Sequence, residues 1–596
     1  MALFTPSESP AVVVKEVDLT GGVPNVQSST GAYVGTFRWG PVRQATLVST
    51  EAELAEKFST PNNAATAHDF LSATQFLRYS SNLYVVREAT TAAVNAASGT
   101  YGSQNEAIQI RNREHYDSLT FGADSSDNQV GMWIAKYPGA LGNSLAVHIL
   151  PATGTFSSWT YAKHFDRAPG TSTYASNKLS SSANDEIHVI VIDEDGEFTG
   201  TKGSVLETYP HVSIASDAKN EEGASNYVAD VVNDRSEYIW FGTWELDADS
   251  DGQADSGLVL ANAGKSTTAV AALSPAVYQT GAGTGQISRS LADGVDSGAL
   301  GTSEVATGFD LFEDTDTITV DFLIAPGMAS QASQVTVAND LISIAGSTRK
   351  DCIAITSPSR ADIVNASTAH ANAVTFANLL TFNSYGVIDN NYLKVYDKYN
   401  DAYRMIPAAS TTAGIMAATD TNAAPWFSPA GSRRGQYFGI TSLAYSPTKA
   451  ERDTLYKAGV NPISNIPGQG VLLFGDKTHM NRPSAFDRIN VRRLFLVLER
   501  AIGEAAKGVM FEFNDEFTRS EFVNIVEPVL REVQGRRGIT DFKVVCDSTN
   551  NTAAVIDRNE FIANIFIKPA RSINYVTLNF VAVRTGVEFE EVVGTV

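Results

Sequence analysis

Two stretches of alternating helix and strand signals are held apart in this chain by residues 95–330, which have a different character. In the first stretch, GAYVGTFRWGPV (31–42) reads as a strand running into a turn, and EAELAEKF (51–58) as an amphipathic helix. HDFLSATQFLRYSS (68–81) is a second helix, with Phe70, Leu71, Thr74, Phe76 and Leu77 clustered on one side, and NLYVVREA (82–89) is a buried strand. The pattern returns with TITVDFLIAP (317–326), QVTVANDLISIAG (334–346) and DCIAITSP (351–358), read as strand, helix and strand, and continues to about 480. Between them, Ser, Thr, Gly, Ala, Asn and Asp dominate, and strands such as EIHVIVIDEDGEF (186–198) and YIWFGTWEL (238–246) are separated by long polar loops. The simplest organisation is one α/β core begun at 23–90, interrupted by β-rich modules over 91–330 and resumed over 331–480, because insertions at surface loops are well tolerated.

At 596 residues the chain exceeds what one hydrophobic core supports, so an α+β multidomain protein is expected. The net charge of −22 argues against a nucleic-acid or anionic-membrane binder, each of which needs basic surface. Residues 480–596 hold 15 Lys/Arg against 16 Asp/Glu, which leaves 29 against 50 for residues 1–479. That asymmetry suggests a solvated acidic exterior and a balanced C-terminal part that meets other protein. Cys352 and Cys546 each sit in an apolar run and read as buried small hydrophobes, outside any disulfide framework or CxxC pattern. MALFTPSESPAVVVKEV lacks a basic n-region and a long apolar h-region, so no secretory signal is expected. No apolar run is long enough to span a membrane.

Motifs for catalysis are scarce. TGAGTGQ (280–286) puts Gln286 where a dinucleotide loop needs its third glycine, with no strong strand leading into it. DADSDGQAD (247–255) is closer to a motif: Asp247, Asp249, Asp251 and Asp255 match calcium-loop positions 1, 3, 5 and 9, with Gly252 at position 6. Position 12 is Leu258 instead of the bidentate Glu, so the choice lies between a weak cation site and an acidic surface turn. The eight histidines show no HExxH spacing, and neither a G-x-S-x-G elbow nor a P-loop occurs. The expectation is a non-enzymatic protein without a cofactor.

The C-terminal part, 481–584, is the most regular. INVRRLFLVLERAIGEAAKG (489–508) carries Leu494, Leu498 and Ile502 at helical spacing, and Thr518 with Glu521 reads as a capping box for a helix ending at Gly535. DFKVVCD (541–547), EFIANIFIKPA (560–570) and INYVTLNFVAV (573–583) read as three strands. Arg531, Arg536 and Arg537 cluster at a helix C-terminus, where cations meet the dipole favourably; contact with an acidic partner is the other use. Arg492 and Arg493, at a helix start, are expected to form salt bridges. The chain is flanked by two extended segments. Residues 1–22 carry Val12, Val13, Val14 and Val17 before a Gly21-Gly22 joint, and 585–596 carry Val587, Phe589, Val592 and Val593 after Gly586. The last run either folds back as a local hairpin or adds to another subunit's sheet edge.

Several stretches in order along the chain resemble the tail sheath proteins of contractile-tailed phages, in particular the T-even-like branch. They are VVVKEVD (12–18), GAYVGTFRWGPV (31–42), FLRYSSNLYVVR (76–87), SLADGVDSG (290–298), APWFSPAGSRRG (424–435), GVNPISNIPGQGVLLFGDKT (459–478) and INVRRLFLVLERAI (489–502), followed by FEFND, VVCDSTNN and INYVTLNFVAV. The likeness is weakest across 95–330. The resemblance implies a mixed α/β sheath core built from both chain ends, inserted β-rich outer domains, and N- and C-terminal linking arms exchanged between subunits. It further implies a homo-oligomer of stacked hexameric rings around a tail tube protein, baseplate and tail terminator or neck proteins as further partners, and contraction that drives the tube through a host envelope. Arg531, Arg536 and Arg537 are then candidates for the tube contact. The location implied is the virion tail, assembled in host cytoplasm, with no nucleic-acid partner and no membrane insertion. The sheath of a related contractile injection system is the nearest alternative, and a surface-array or adhesin-like binding protein a more distant one.

Overall fold

The computed structural model describes residues 28–98, 108–121, 130–152, 154–178, 184–244, 266–267 and 286–574. These form two compact units: Gln27–Pro425 with Pro429–Arg492, and Trp426–Ser428 with the residues from Arg493 onward.

The larger unit is organised on a seven-stranded sheet. Its strand order is Val460–Asn461, Gly386–Asp389, Ile353–Thr356, Phe322–Ile324, Gly31–Gly35, Leu83–Arg87 and Ala45–Val48. All neighbours are parallel except Ala45–Val48, which runs antiparallel to Leu83–Arg87. Parallel strands covered on both faces read as unbroken apolar runs, and every residue of Gly31–Gly35 and Ile353–Thr356 is buried. At the sheet centre Gly31 pairs with both Phe322 and Leu83. A Cβ there would stand 2.8 Å from the Phe76 ring and 3.1 Å from Leu83, so only glycine allows this approach.

The helices follow from local signals. Glu51–Phe58 forms as expected, capped by the Thr50 side chain accepting from the Glu53 N–H. The next helix is Ala64–Leu77, four residues earlier than the apolar periodicity suggested, because Asn63 and Thr66 form a capping box that sets the start. Thr302–Asp310 packs with Gln331–Ser343, and Phe309 and Phe312 share one buried cluster with Val34, Leu323, Leu341 and Phe376. The core boundary drawn at 331 is therefore corrected. The Phe322–Ile324 strand lies inside the sheet and residues 302–312 already pack on it, since its apolar faces need covering on both sides.

Within the intervening residues a four-stranded antiparallel sheet runs in the order Ser204–Ser213, Glu186–Asp193, Leu145–Pro151, Ile287–Ser290. Trp133–Ala135 pairs separately with Ile239–Phe241. Trp133, Val147, Val189 and Phe241 belong to one buried cluster, distinct from that of the seven-stranded sheet. Arg87 joins the two regions: its buried guanidinium donates to the carbonyls of Phe37 (2.8 Å), Gly40 (2.8 Å) and Pro138 (2.5 Å). Burial in this carbonyl nest lowers its pKa to about 10. The SLADGVDSG stretch closes the same junction. Asn143 and Gly294 exchange hydrogen bonds of 3.0 and 2.7 Å, and the Ala140 N–H donates to Asp296 Oδ1 at 2.8 Å.

The smaller unit contains Glu516–Gly535 packed on the strand Ile539–Val545, which pairs antiparallel with Asn564–Pro569. The helix buries Phe522, Val526, Leu530 and Val533, one stripe at helical spacing. Its cap differs from the expected Thr518–Glu521 box. Asp515 is the N-cap, accepting from the Thr518 N–H at 2.9 Å, so the helix begins one turn earlier. Both cysteines are buried, and neither is in a disulfide.

Candidate assembly surface

Among the described residues, no group of three or more His, Cys, Asp or Glu side chains could hold a metal ion, and no helix is long and apolar enough to cross a membrane. Asp247, Asp249, Asp251 and Asp255 lie outside the described residues. So do Val12, Val13, Val14 and Val17, and Val587, Phe589, Val592 and Val593, together with the strand expected over 573–583 from residue 575 onward.

Among the described residues the most exposed aromatic side chains lie in the smaller unit. Among the described residues the sheet of this unit has two strands, Ile539–Val545 and Asn564–Pro569. Side chains alternate across the sheet. Phe542, Val544, Ile565 and Ile567 are half-buried on one face, and Asp541, Lys543, Phe566 and Lys568 stand exposed on the other. Lys543 pairs directly with Phe566, and Lys568 Nζ lies 3.2 Å from Asp541 Oδ2.

The turn ahead of the helix and the first helical residues, 509–517 together, expose four large apolar side chains. Phe511 is fully exposed, Phe513 is 84 % exposed and Phe517 77 %, with Met510 beside them. The turn is braced at its base: Asn514 Nδ2 donates to the Glu560 carbonyl at 2.8 Å, and Arg519 donates to Asn514 Oδ1 at 3.1 Å. The Thr518 N–H, with smaller help from its side chain, holds the Asp515 carboxyl below its ordinary pKa. Sequence reasoning missed this cluster. The legible signal was an aromatic run directly before a cap, out of phase with the apolar stripe of the helix that follows.

Arg531, Arg536 and Arg537 all fall on exposed positions at or near the C-terminus of Glu516–Gly535. Arg531 pairs with Glu527 at 2.8 Å and Arg536 with Glu532 at 3.6 Å, both four residues apart on the helix. The Arg536 guanidinium stands 5.2 Å over the Trp426 ring, whose Nε1–H donates to the Arg536 carbonyl. Arg537 adopts a positive φ of 67°, ending the helix. Surface pairs of this kind contribute little to stability. Arg492 donates to Ser384 Oγ at 2.8 Å, with its guanidinium 4.0 Å from the Phe486 ring centre and 4.3 Å from that of Tyr385. Both Arg492 and Arg493 are buried.

A multidomain α/β chain with a braced, exposed aromatic turn has the features of an assembly subunit. The comparisons with known proteins agree. Residues 304–479 match the phage tail sheath protein central domain, and residues 481–582 the phage tail sheath C-terminal domain. The tail sheath protein of Vibrio phage KVP40 is 31% identical over 98% of this chain and 99% of its own length. That of Enterobacteria phage T4 is 32% identical over 98% and 99%. The crystal structure of a sheath tail protein from Listeria innocua shares the fold, with a TM-score of 0.52 over 92% of this chain and 93% of its own at 13% identity. The chain belongs to the phage tail sheath family, whose members are structural proteins of contractile tails.

Proposed function

We propose that this protein is the repeating subunit of a contractile phage tail sheath, stacked as six-subunit rings around a tail tube and contracting to drive that tube through the host envelope for genome delivery. The observation that carries this reading is kinship with two phage tail sheath proteins over nearly the whole chain. The subunit is non-enzymatic. It assembles in the host cytoplasm, meets a tube protein along its bore and baseplate and terminator or neck proteins at the ends, and becomes part of the virion tail. The β-rich insertion over 91–330 faces outward in this reading.

The subunits are linked by their chain ends. Val12, Val13, Val14 and Val17 in one arm, and Val587, Phe589, Val592 and Val593 in the other, suit strands that add to a neighbour's sheet, with the sheet of Ile539–Val545 and Asn564–Pro569 as the acceptor in this reading. Ordering about seven arm residues costs roughly 7–14 kcal/mol of backbone entropy. Burying three apolar side chains returns roughly 5–9 kcal/mol, and about five ladder hydrogen bonds add roughly 0.5–1.5 kcal/mol each. One arm is therefore a marginal link, and two per subunit closed into rings gain from effective concentration. Contraction is then a rigid-body rearrangement between two packings, with the glycine joints at 21–22 and 586 absorbing the motion. Deleting residues 585–596 is expected to leave a folded subunit that fails to polymerise. Striated hollow cylinders of normal appearance from the deletion variant, seen by negative-stain electron microscopy, would overturn the arm linkage.

A further inference from the structure

The aromatic turn at 509–517 is costly as an isolated feature. Phe511 is fully exposed and holds a left-handed backbone at φ 70°, a conformation that bulky L-residues rarely adopt. Strain of this kind persists where the surroundings impose it, and here the base of the turn is pinned through Asn514 to Glu560 and through the Asp515 cap. The result is a preformed knob carrying Phe511 and Phe513 with Glu512 between them, so its character is aromatic and acidic.

The outer face of the two-stranded sheet in the same unit has the complementary character. Lys543 and Phe566 are exposed and directly opposite across the strands, with Lys568 two residues beyond Phe566 and paired to Asp541. An acidic-aromatic knob and a basic-aromatic face on one chain define a heterologous contact, which propagates from copy to copy as a ring or helix. Charge selects a second copy as the occupant. Copies carrying −22 each repel, and an interface is favoured where the balanced C-terminal region supplies opposite signs.

We propose that the 509–517 turn of one subunit docks on the Lys543–Phe566 face of the next, with Glu512 meeting Lys543. This rests on the sheath reading and adds to it a contact that uses neither chain end. Two or three phenylalanines bury less than a stable interface needs, so the contact acts alongside other links.

The test is self-assembly of the full-length protein, with the critical concentration read by sedimentation and the product by negative stain. Phe511→Ser with Phe513→Ser is expected to raise that concentration about 30-fold or more, as for loss of an interface anchor. Glu512→Lys and Lys543→Glu are each expected to raise it about 3-fold or more, and the double reversal to restore it. Because these side chains are exposed, each variant subunit should keep the wild-type melting temperature, which separates assembly from folding. Unchanged assembly in the variants, or single defects that the double reversal does not repair, overturns the contact and leaves the sheath reading intact. A wild-type protein that fails to polymerise at any concentration overturns both.

Discussion

The seven-stranded sheet of the larger unit and the two-stranded sheet of the smaller one place their carboxylates in opposite environments. Against the large sheet, Asp389 is buried and Asp69 half-buried. Asp69 accepts from Tyr33 Oη at 2.8 Å and from the Thr36 N–H at 2.7 Å, yet burial still lifts its pKa to about 6. Burial lifts Asp389, beside Asn391 and Thr412, to about 7. In the smaller unit Asp515, Asp547 and Glu560 are exposed, and hydrogen bonds hold each below its ordinary pKa: from the Thr518 N–H, the Thr549 hydroxyl and the Arg558 guanidinium respectively. The first region hides polar groups inside a finished core. The second uses them to shape a surface that remains open. The difference teaches that one chain can hold a body that closes over its polar groups and a part that leaves large aromatic side chains exposed.

The contrast breaks first on packing. Phe322 is fully buried at the sheet centre, 6.4 Å from the Phe76 ring, and Phe322→Ala is expected to cost about 3–5 kcal/mol in urea unfolding. Phe513→Ala, at an exposed site, is expected to change stability by less than about 0.5 kcal/mol. Equal effects would mean that the turn is part of the subunit's own core.

A smaller effect separates the regions by pH. An unfolded Asp titrates near ~3.9, so the folded core holds a proton on Asp389 that the unfolded chain has released. That contribution is complete below about pH 4 and is lost as pH rises through 7. Asp389→Asn is expected to flatten the decline of stability between pH 4 and 8 by about 2–4 kcal/mol. A decline parallel to wild type, measured by urea midpoints across that range, would remove burial as its cause.

The smallest expected effect has the reverse sign. Asp515 is held low, so its capping contribution is present at neutral pH and fades as pH falls through its lowered folded pKa. Asp515→Asn should leave amide exchange at the start of Glu516–Gly535 insensitive to acid, whereas wild type loses protection there. Equal acid sensitivity in the two proteins would sharpen the comparison by excluding Asp515 as its source.

Much of this architecture was legible in the chain. Glu51–Phe58 is delimited by its cap and periodicity, and the buried strands Gly31–Gly35, Leu83–Arg87 and Ile353–Thr356 stand out because parallel strands covered on both faces need uninterrupted apolar runs. The family likeness was legible too, since it rests on motifs in order. What escaped were features made by distant partners. Phe322–Ile324 pairs beside the strand at 31–35 and the helix Thr302–Asp310 shares its buried cluster, and no local pattern announces which strand 317–326 pairs with or that the helix belongs there. The exposure of Phe511 and Phe513 was equally hidden, because an aromatic run reads the same whether it faces a core or solvent.

By itself, then, the sequence determined the kinds of element, the acidic body with its charge-balanced C-terminal fifth, and the family, all of which depend on neighbours along the chain or on totals. Only the tertiary structure decided which strands share a sheet, which carboxylates are buried and which aromatics remain uncovered. Each of those depends on what lies across a few ångströms of space, and residues hundreds of positions apart supply it.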